Sequence, residues 1–176
     1  MATPLSHLAV PLALAVALGP DLVPPGLLAL ALACALLPDV DALGLWLGIP
    51  YDHPFGHRGF THSLPFAVAQ AGVGALLAPA VGAQPVVALC VLAVSAASHG
   101  LLDGMTNGGL GIAFFSPFSQ RRQFLPWRVI EVSPLSPSAL FSRRGLQVLR
   151  SEMRWVWMPC GVVALLGFAL RGLLGR

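Results

Sequence analysis

Apolar residues fall in five runs along the chain, and glycine, proline and charged residues separate them. The runs cover approximately residues 8–19, 22–37, 64–82, 85–102 and 155–170. Such runs are typical of membrane-spanning helices, so the pattern predicts an all-α, polytopic membrane bundle of about five helices. The first two runs are short for a span, since sixteen helical residues extend about 24 Å against a hydrocarbon core of about 30 Å. Either could instead be a re-entrant or buried helix, which leaves four or six spans as alternatives.

The composition supports a membrane location. Hydrophobic residues make up 56% of the 176 residues, charged residues make up only 10%, and the mean hydropathy is +0.80. A soluble domain carries about 25% charged residues, so the composition excludes an ordinary soluble protein. We expect membrane lipids as neighbours of this chain and no nucleic-acid partner.

The arginines predict the orientation in the membrane. All ten positively charged residues are arginine, and seven of them lie between the fourth and fifth runs. The positive-inside rule places that segment in the cytoplasm. Alternation of the spans then places the N-terminus and residues 38–61 at the same face and the C-terminus outside. The predicted localisation is the inner (plasma) membrane, with several passes.

Histidines and aspartates gather at one membrane face in this arrangement. The residues concerned flank the first four runs and are His7, Asp39, Asp41, Asp52, His53, His57, His62, His99 and Asp103. Only Asp21 among the histidines and aspartates lies across the bilayer. In a protein with so little charge, binding of a metal ion explains this clustering better than a set of unrelated interfacial residues does.

Three motifs carry the clustered residues. In "SHGLLD", His99 and Asp103 are four residues apart, which places both on one face of a helix. In "LLPDVDALG", Asp39 and Asp41 follow a helix that Pro38 would stop; both could face one ion, or one could cap the next helix. In "GHRGFTHS", His57 and His62 could converge from a loop and a helix start.

Other residues of the last motif have two interpretations. Arg58 could clamp a substrate phosphate, or it could be an ordinary positively charged flank of a span. Ser63 or Thr61 could cap the third helix, and two glycines permit tight turns. Thr106, Asn107 and Gly108, which follow Asp103, could donate hydrogen bonds to an anion or could form a helix cap and turn.

Nitrogen and oxygen ligands without thiolate suit a divalent metal, zinc first and Mn, Fe or Mg as alternatives. The clustered residues suffice for one or two ions. A two-metal centre activates water and stabilises both the attacking and leaving oxygens of a phosphoryl displacement.

The segments "PDVD", "HRGFTHS", "SHGLLDGMTNGG" and "FFSPFS", with a histidine near the N-terminus, resemble the YdjM-like (DUF457) family of inner-membrane proteins described as metal-dependent hydrolases. The order of residues is also distantly similar to the ligands of zinc-dependent phospholipases C and nucleases of the P1 type. That resemblance implies that Asp41 is a ligand or general base and that the metal ligands are His7, Asp39, His62 or His57, His99 and Asp103. The later ligands of those enzymes have no counterpart here, which favours one or two ions over three.

Residues 1–176 are thus predicted to form a single membrane-embedded domain. It comprises a metal-site core (about residues 5–120), an arginine-rich interfacial segment (119–154) and a C-terminal transmembrane helix (about 155–172). The predicted function is a metal-dependent hydrolase of a phosphoester in a lipid or lipid-linked substrate. The alternative is a non-enzymatic protein that binds or transports metal, although transporters place their ligands near the bilayer midplane.

Overall fold

The structure is a computed structural model that describes residues 1–133 and 142–175, and this part of the chain is all-α, as predicted. Residues 134–141 of the predicted interfacial segment, and Arg176, lie outside the described residues. Within the described ranges, three 3₁₀ turns (Leu37–Asp41, Phe60–His62 and Ala78–Val81) and one π-helical turn (Met153–Trp157) accompany the α-helices. The α-helices are α1 (Pro4–His7), α2 (Ala9–Leu18), α3 (Pro25–Leu36), α4 (Ala42–Trp46), α5 (Leu64–Leu76), α6 (Pro85–Gly104), α7 (Arg143–Glu152) and α8 (Met158–Leu173).

Several of these elements join end to end, so the described chain forms five helical rods, which confirms the predicted number of helices. The rods are Pro4–Leu18, Pro25–Trp46, Leu64–Leu76, Pro85–Gly104 and Arg143–Leu173. Four of them have a proline in the first turn, where the missing N–H would have no helical partner in any case. The three rods that are long and apolar enough to cross a membrane are Pro25–Trp46, Pro85–Gly104 and Arg143–Leu173.

The lengths of two rods differ from the prediction. The second run is not short, because the 3₁₀ turn Leu37–Asp41 and α4 extend α3 into a rod of 22 residues. Pro38 ends the α-helix but occupies the first turn of the 3₁₀ segment, where proline is tolerated. The helix of the third run is shorter than the run itself, because α5 ends at Leu76 and a 3₁₀ turn containing Pro79 follows it.

The bundle core is formed by α3, α5 and α6, which pack through small residues. Ala31, Ala67, Ala71 and Ala88 are buried where these helices meet, and Leu92 fills the space between them. Small side chains allow helix backbones to approach closely in a membrane. Helix α8 packs against α2 and buries none of its own residues, so its remaining surface is available to lipid.

Candidate metal centre

Four segments bring histidine and aspartate side chains together at one end of the bundle. They are α1, the 3₁₀ turn after α3, the loop and 3₁₀ turn before α5, and the last turns of α6. All but the two aspartates of the first 3₁₀ turn are almost wholly buried. The side chains that meet are His7, Asp39, Asp41, His57, Arg58, His62, His99 and Asp103.

Four imidazole rings form a continuous row through this centre. The ring centroids of His57 and His62 are 5.2 Å apart, and those of His62 and His99 are 4.6 Å apart. His99 stacks on His7 with the centroids 3.7 Å apart. Like charges this close repel, so the four rings cannot all carry a positive charge together, and a neutral imidazole is the form of histidine that binds metal ions.

Two groups of potential ligand atoms share one residue, Asp103. One group contains Asp39, His57, His62 and Asp103, and the other contains His7, His99 and Asp103, with ligand atoms within 4.8 Å of one another in each group. Asp103 Oδ1 lies 3.6 Å from His7 Nε2, and Asp103 Oδ2 lies 3.6 Å from His62 Nε2. The carboxylate therefore presents one oxygen to each group, which is the arrangement of a bridging ligand.

Several buried polar atoms in the two groups have no hydrogen-bond partner among residues 1–133 and 142–175. They are both ring nitrogens of His7, both carboxylate oxygens of Asp39, Nε2 of His57 and Oδ2 of Asp103. Buried polar atoms are nearly always paired, because leaving one unpaired costs about 1–3 kcal/mol. Nitrogen and oxygen atoms that converge in this way fit a divalent cation, which would satisfy several of them together.

Asp41 lies behind two of the imidazoles instead of among the converging atoms. Its Oδ1 is 2.7 Å from His57 Nδ1, and its Oδ2 is 3.0 Å from His62 Nδ1. Oδ2 also accepts hydrogen bonds from the Thr61 hydroxyl at 2.6 Å and from the backbone N–H of Arg58 at 3.2 Å. Because an ionised carboxylate only accepts hydrogen bonds, each Nδ1 carries a proton, and each Nε2 faces the other ligand atoms.

Two ring nitrogens approach each other closely at the centre. His99 Nδ1 is 2.7 Å from the carbonyl oxygen of Ala35, so this nitrogen carries a proton. His99 Nε2 then lies only 3.1 Å from His62 Nε2. Two nitrogen lone pairs repel at this distance unless a proton or a metal ion lies between them.

In the metal-free protein that proton belongs to His62. Burial disfavours the His62 imidazolium, but the carboxylates of Asp39 and Asp41 outweigh burial and raise the pKa of His62 to about 9. The imidazolium therefore stabilises the metal-free protein fully below the ordinary pKa of about 6.5. This contribution is lost as the pH rises through about 9.

We expect binding of zinc at pH 7 to release about one proton from His62, because the ion and the proton compete for the same Nε2. Titration calorimetry in buffers of different ionisation enthalpy measures the number of protons released. A His53→Ala variant is the control, since His53 is exposed and outside the centre, and it should release the same number. Zinc binding without proton release would contradict the assignment to His62.

Arg58 is wholly buried and its guanidinium is surrounded by partners. Its Nε lies 3.3 Å from Asp103 Oδ2, and its two terminal nitrogens donate to the carbonyl oxygen of Gly108 at 2.8 Å and to the Thr106 hydroxyl at 3.0 Å. The backbone φ of Arg58 is 66°, an uncommon conformation for a residue other than glycine. A guanidinium that is 0% exposed and held by groups of the protein differs from what is expected of an ordinary positively charged flank of a span.

The glycines on either side of Arg58 allow close backbone contacts. A Cβ at Gly56 would lie 2.2 Å from the carbonyl oxygen of Pro50, and one at Gly59 would lie 2.2 Å from that of Pro54. Both positions therefore require glycine for space. Ser63 caps α5 by accepting a hydrogen bond from the backbone N–H of Phe66.

Thr106, Asn107 and Gly108 follow α6, and they form a helix cap and turn, which is the second interpretation considered for them. The Thr106 hydroxyl donates to the carbonyl oxygen of Asp103 at 2.7 Å. The Asn107 side chain donates to Glu131 and accepts from the backbone N–H of Val132, which ties the turn to the segment before α7. These polar groups are therefore engaged within the protein.

Two contacts near the centre were not predicted from the sequence. The backbone N–H of Ala2 donates to Asp103 Oδ1 at 2.6 Å. Both the backbone N–H and the hydroxyl of Thr3 donate to Glu152, whose side chain is buried. Glu152 is one of only two glutamates in the chain, and this rarity is the one sequence signal that could have marked it.

The comparisons with known proteins cover nearly the whole chain. Residues 1–174 match the family model described as YdjM inner membrane protein. The chain is also 41% identical over 179 residues to the inner membrane protein YbcI of Escherichia coli (strain K12), and the alignment covers 99% of this chain and 97% of that protein. No solved structure matches the chain.

Proposed function

The chain belongs to the YdjM family of inner membrane proteins, as its motifs predicted, and from its buried centre we propose that it is a membrane-embedded, metal-dependent hydrolase. The proposed substrate is a phosphoester in a lipid or lipid-linked molecule. The observation that carries the proposal is the convergence of unpaired nitrogen and oxygen atoms in two groups that share Asp103.

The two groups assign the residues that would hold metal. Asp39, His57, His62 and Asp103 would hold one ion, and His7, His99 and Asp103 would hold a second. Imidazole and carboxylate ligands favour zinc, with Mn, Fe or Mg as alternatives. When bound, such ions polarise a phosphoryl oxygen and lower the pKa of a water molecule.

The remaining residues of the centre position the ligands. In this proposal Asp41 is a positioning residue, because both of its oxygens are engaged by His57, His62 and Thr61. The carbonyl oxygen of Ala35 positions His99 by accepting a hydrogen bond from its Nδ1. Arg58 and the backbone N–H of Ala2 each contact one oxygen of Asp103. In this proposal Arg58 therefore positions Asp103 and does not bind the substrate phosphate.

The surroundings of Asp39 support a lipid substrate. The Asp39 side chain is 13% exposed, more than those of the other ligands, so the centre opens to the outside at this residue. Leu37, Val40 and Leu43 on the same rod are about half exposed. A substrate whose polar head reaches Asp39 could therefore keep its acyl chains against an apolar surface.

The opposite side of the centre argues against the metal-transport alternative. Beyond His99 the interior of the bundle contains the buried hydroxyl of Ser95 and is otherwise packed mainly with apolar residues, including Leu27, Ala31, Val91 and Leu92. A transported ion needs a hydrated or polar route across the bilayer, because an unpaired charge in hydrocarbon is costly. The apolar cluster lies in that route.

The proposal is tested on purified protein by elemental analysis and by assay against phospholipids and soluble phosphoesters. We expect at least one tightly bound divalent ion per chain and hydrolysis that a chelator abolishes and added metal restores. His53→Ala, which alters an exposed histidine outside the centre, should keep both properties. Metal-free protein whose thermal unfolding does not change when zinc, Mn, Fe or Mg is added would refute the metal centre.

The cytoplasmic orientation is a separate proposal from the distribution of arginines. Reporter proteins fused near residue 130 and after the last helix should report the cytoplasm and the outside, respectively, because the rod Arg143–Leu173 between them is long and apolar enough to cross a membrane. Reports in the reverse order would overturn the orientation. Reports from the same side would show that this rod does not cross.

A further inference from the structure

The face of α7 that points away from the bundle carries a basic surface cavity of about 600 Å³. Arg144, Arg150 and Arg154 line it together with Gln147 and Trp155. Arg150 lies in the last turn of α7 and Arg154 lies in the π-helical turn that follows it, and both line the cavity. The cavity thus presents several guanidinium groups side by side.

Two of these arginines have no acidic partner. Arg144 forms an ion pair with Glu131 at 2.7 Å. Within the described part of the chain, no carboxylate lies within ion-pair distance of Arg150 or Arg154; the Arg154 guanidinium lies 5.1 Å from the centre of the Trp155 ring. With three arginines and one glutamate, the lining of the cavity has an excess of positive charge.

The length of the last rod places this cavity at the level of lipid headgroups. The rod Arg143–Leu173 contains 31 residues, or about 46 Å of helix, against a hydrocarbon core of about 30 Å. With its apolar half, α8, in that core, the rod would extend α7 into the headgroup region. Trp155 and Trp157 mark the boundary, since tryptophan is enriched at membrane interfaces.

The opposite face of α7 is fixed to the protein. Val148 and Glu152 are buried there, and Glu152 accepts two hydrogen bonds from Thr3. These contacts fix the outward orientation of the arginine face, so that orientation does not require α7 to bind a membrane.

We propose that the cavity binds the headgroup of an anionic phospholipid, with Arg150 and Arg154 donating hydrogen bonds to its phosphate. Arginine suits this task because its planar guanidinium donates two parallel hydrogen bonds to a phosphate. Trp155 contacts the glycerol and upper acyl region of the same lipid. The site is distinct from the metal centre, and the proposal does not depend on the hydrolase activity.

The test compares lipid binding by the double variant Arg150→Gln/Arg154→Gln with that of the wild type. Purified protein in detergent is titrated with phosphatidylglycerol or phosphatidylcholine, and bound lipid is counted by native mass spectrometry. Wild-type protein should bind phosphatidylglycerol at least tenfold more tightly than phosphatidylcholine, and the double variant should lose that preference. The matched control Arg121→Gln/Arg143→Gln removes the same charge from exposed residues that do not line the cavity, and it should keep the preference.

Three outcomes would overturn the proposal. Equal binding of both lipids by the wild type would show that charge does not select the lipid. An equal loss in the control variant would show that net charge alone, and not the cavity, is responsible. Competition by glycerol 3-phosphate at the same concentration as the lipid would identify a site for free phosphate instead. All four arginines are exposed, so the variants should fold, and unfolding temperatures without added lipid verify this.

Discussion

Asp103→Asn is expected to lower phosphoester hydrolysis by roughly 100-fold or more and to remove bound divalent metal. Asp103 is the residue common to both groups of ligand atoms, and each of its oxygens faces a different group. Asparagine keeps the size of the side chain but removes the negative charge, and it offers one carbonyl oxygen in place of two carboxylate oxygens. Both ions should therefore be bound more weakly, which elemental analysis of the purified variant measures together with the assay.

The control for this experiment is Asp52→Asn, because Asp52 is exposed and belongs to neither group of ligands. It should retain wild-type metal content and activity. If Asp103→Asn retained all of its metal, Asp103 would not be a ligand and the centre would hold metal through the histidines and Asp39 alone. If activity fell with full metal content, Asp103 would act on the substrate directly.

In the Arg58→Gln variant we expect the free energy of unfolding of the metal-free protein to fall by about 3–5 kcal/mol, which is typical when one partner of a buried ion pair is removed. Arg58 and Asp103 are both 0% exposed, and their closest side-chain atoms are 3.3 Å apart. Without Arg58, the buried Asp103 carboxylate loses its arginine partner and keeps only the more distant His62 imidazolium, 3.6 Å away. Added metal should restore part of the stability, because a bound cation compensates the same charge.

Thermal unfolding in detergent, with and without zinc, measures both effects. Arg121→Gln serves as the control, since Arg121 is exposed and its loss should change stability little. The result also separates the two roles considered for Arg58. If Arg58→Gln kept its stability and its metal but turned over substrate slowly, Arg58 would bind the substrate phosphate. That result would contradict its role in positioning Asp103.

The helices and the grouping of polar residues could be predicted from the sequence because both depend on local patterns. Five apolar runs correspond to five rods, and polar residues that flank the runs at one face necessarily approach one another when the helices pack. The four-residue spacing of His99 and Asp103 likewise fixes their common face on α6. These inferences need only helical periodicity and the thickness of the bilayer.

The arrangement within the centre could not be predicted in the same way. Asp39 and Asp41 are equivalent in sequence, but the turn of the 3₁₀ helix directs Asp39 toward the ligands and Asp41 toward the Nδ1 atoms of two histidines. The burial of Arg58 depends on the stretch that follows α6, some 50 residues away in the chain. Such contacts arise from tertiary packing, on which local pattern carries no information.

The hydrogen bonds around Asp103 have a consequence for biosynthesis. Ala2 contacts Asp103 directly, and its neighbour Thr3 is held by Glu152, 149 residues further along the chain. During translation Asp103 is made before Glu152, so at that stage Ala2 can already contact Asp103 while Thr3 still lacks its carboxylate partner. The contacts that hold the first residues are therefore completed only after α7 has been synthesised.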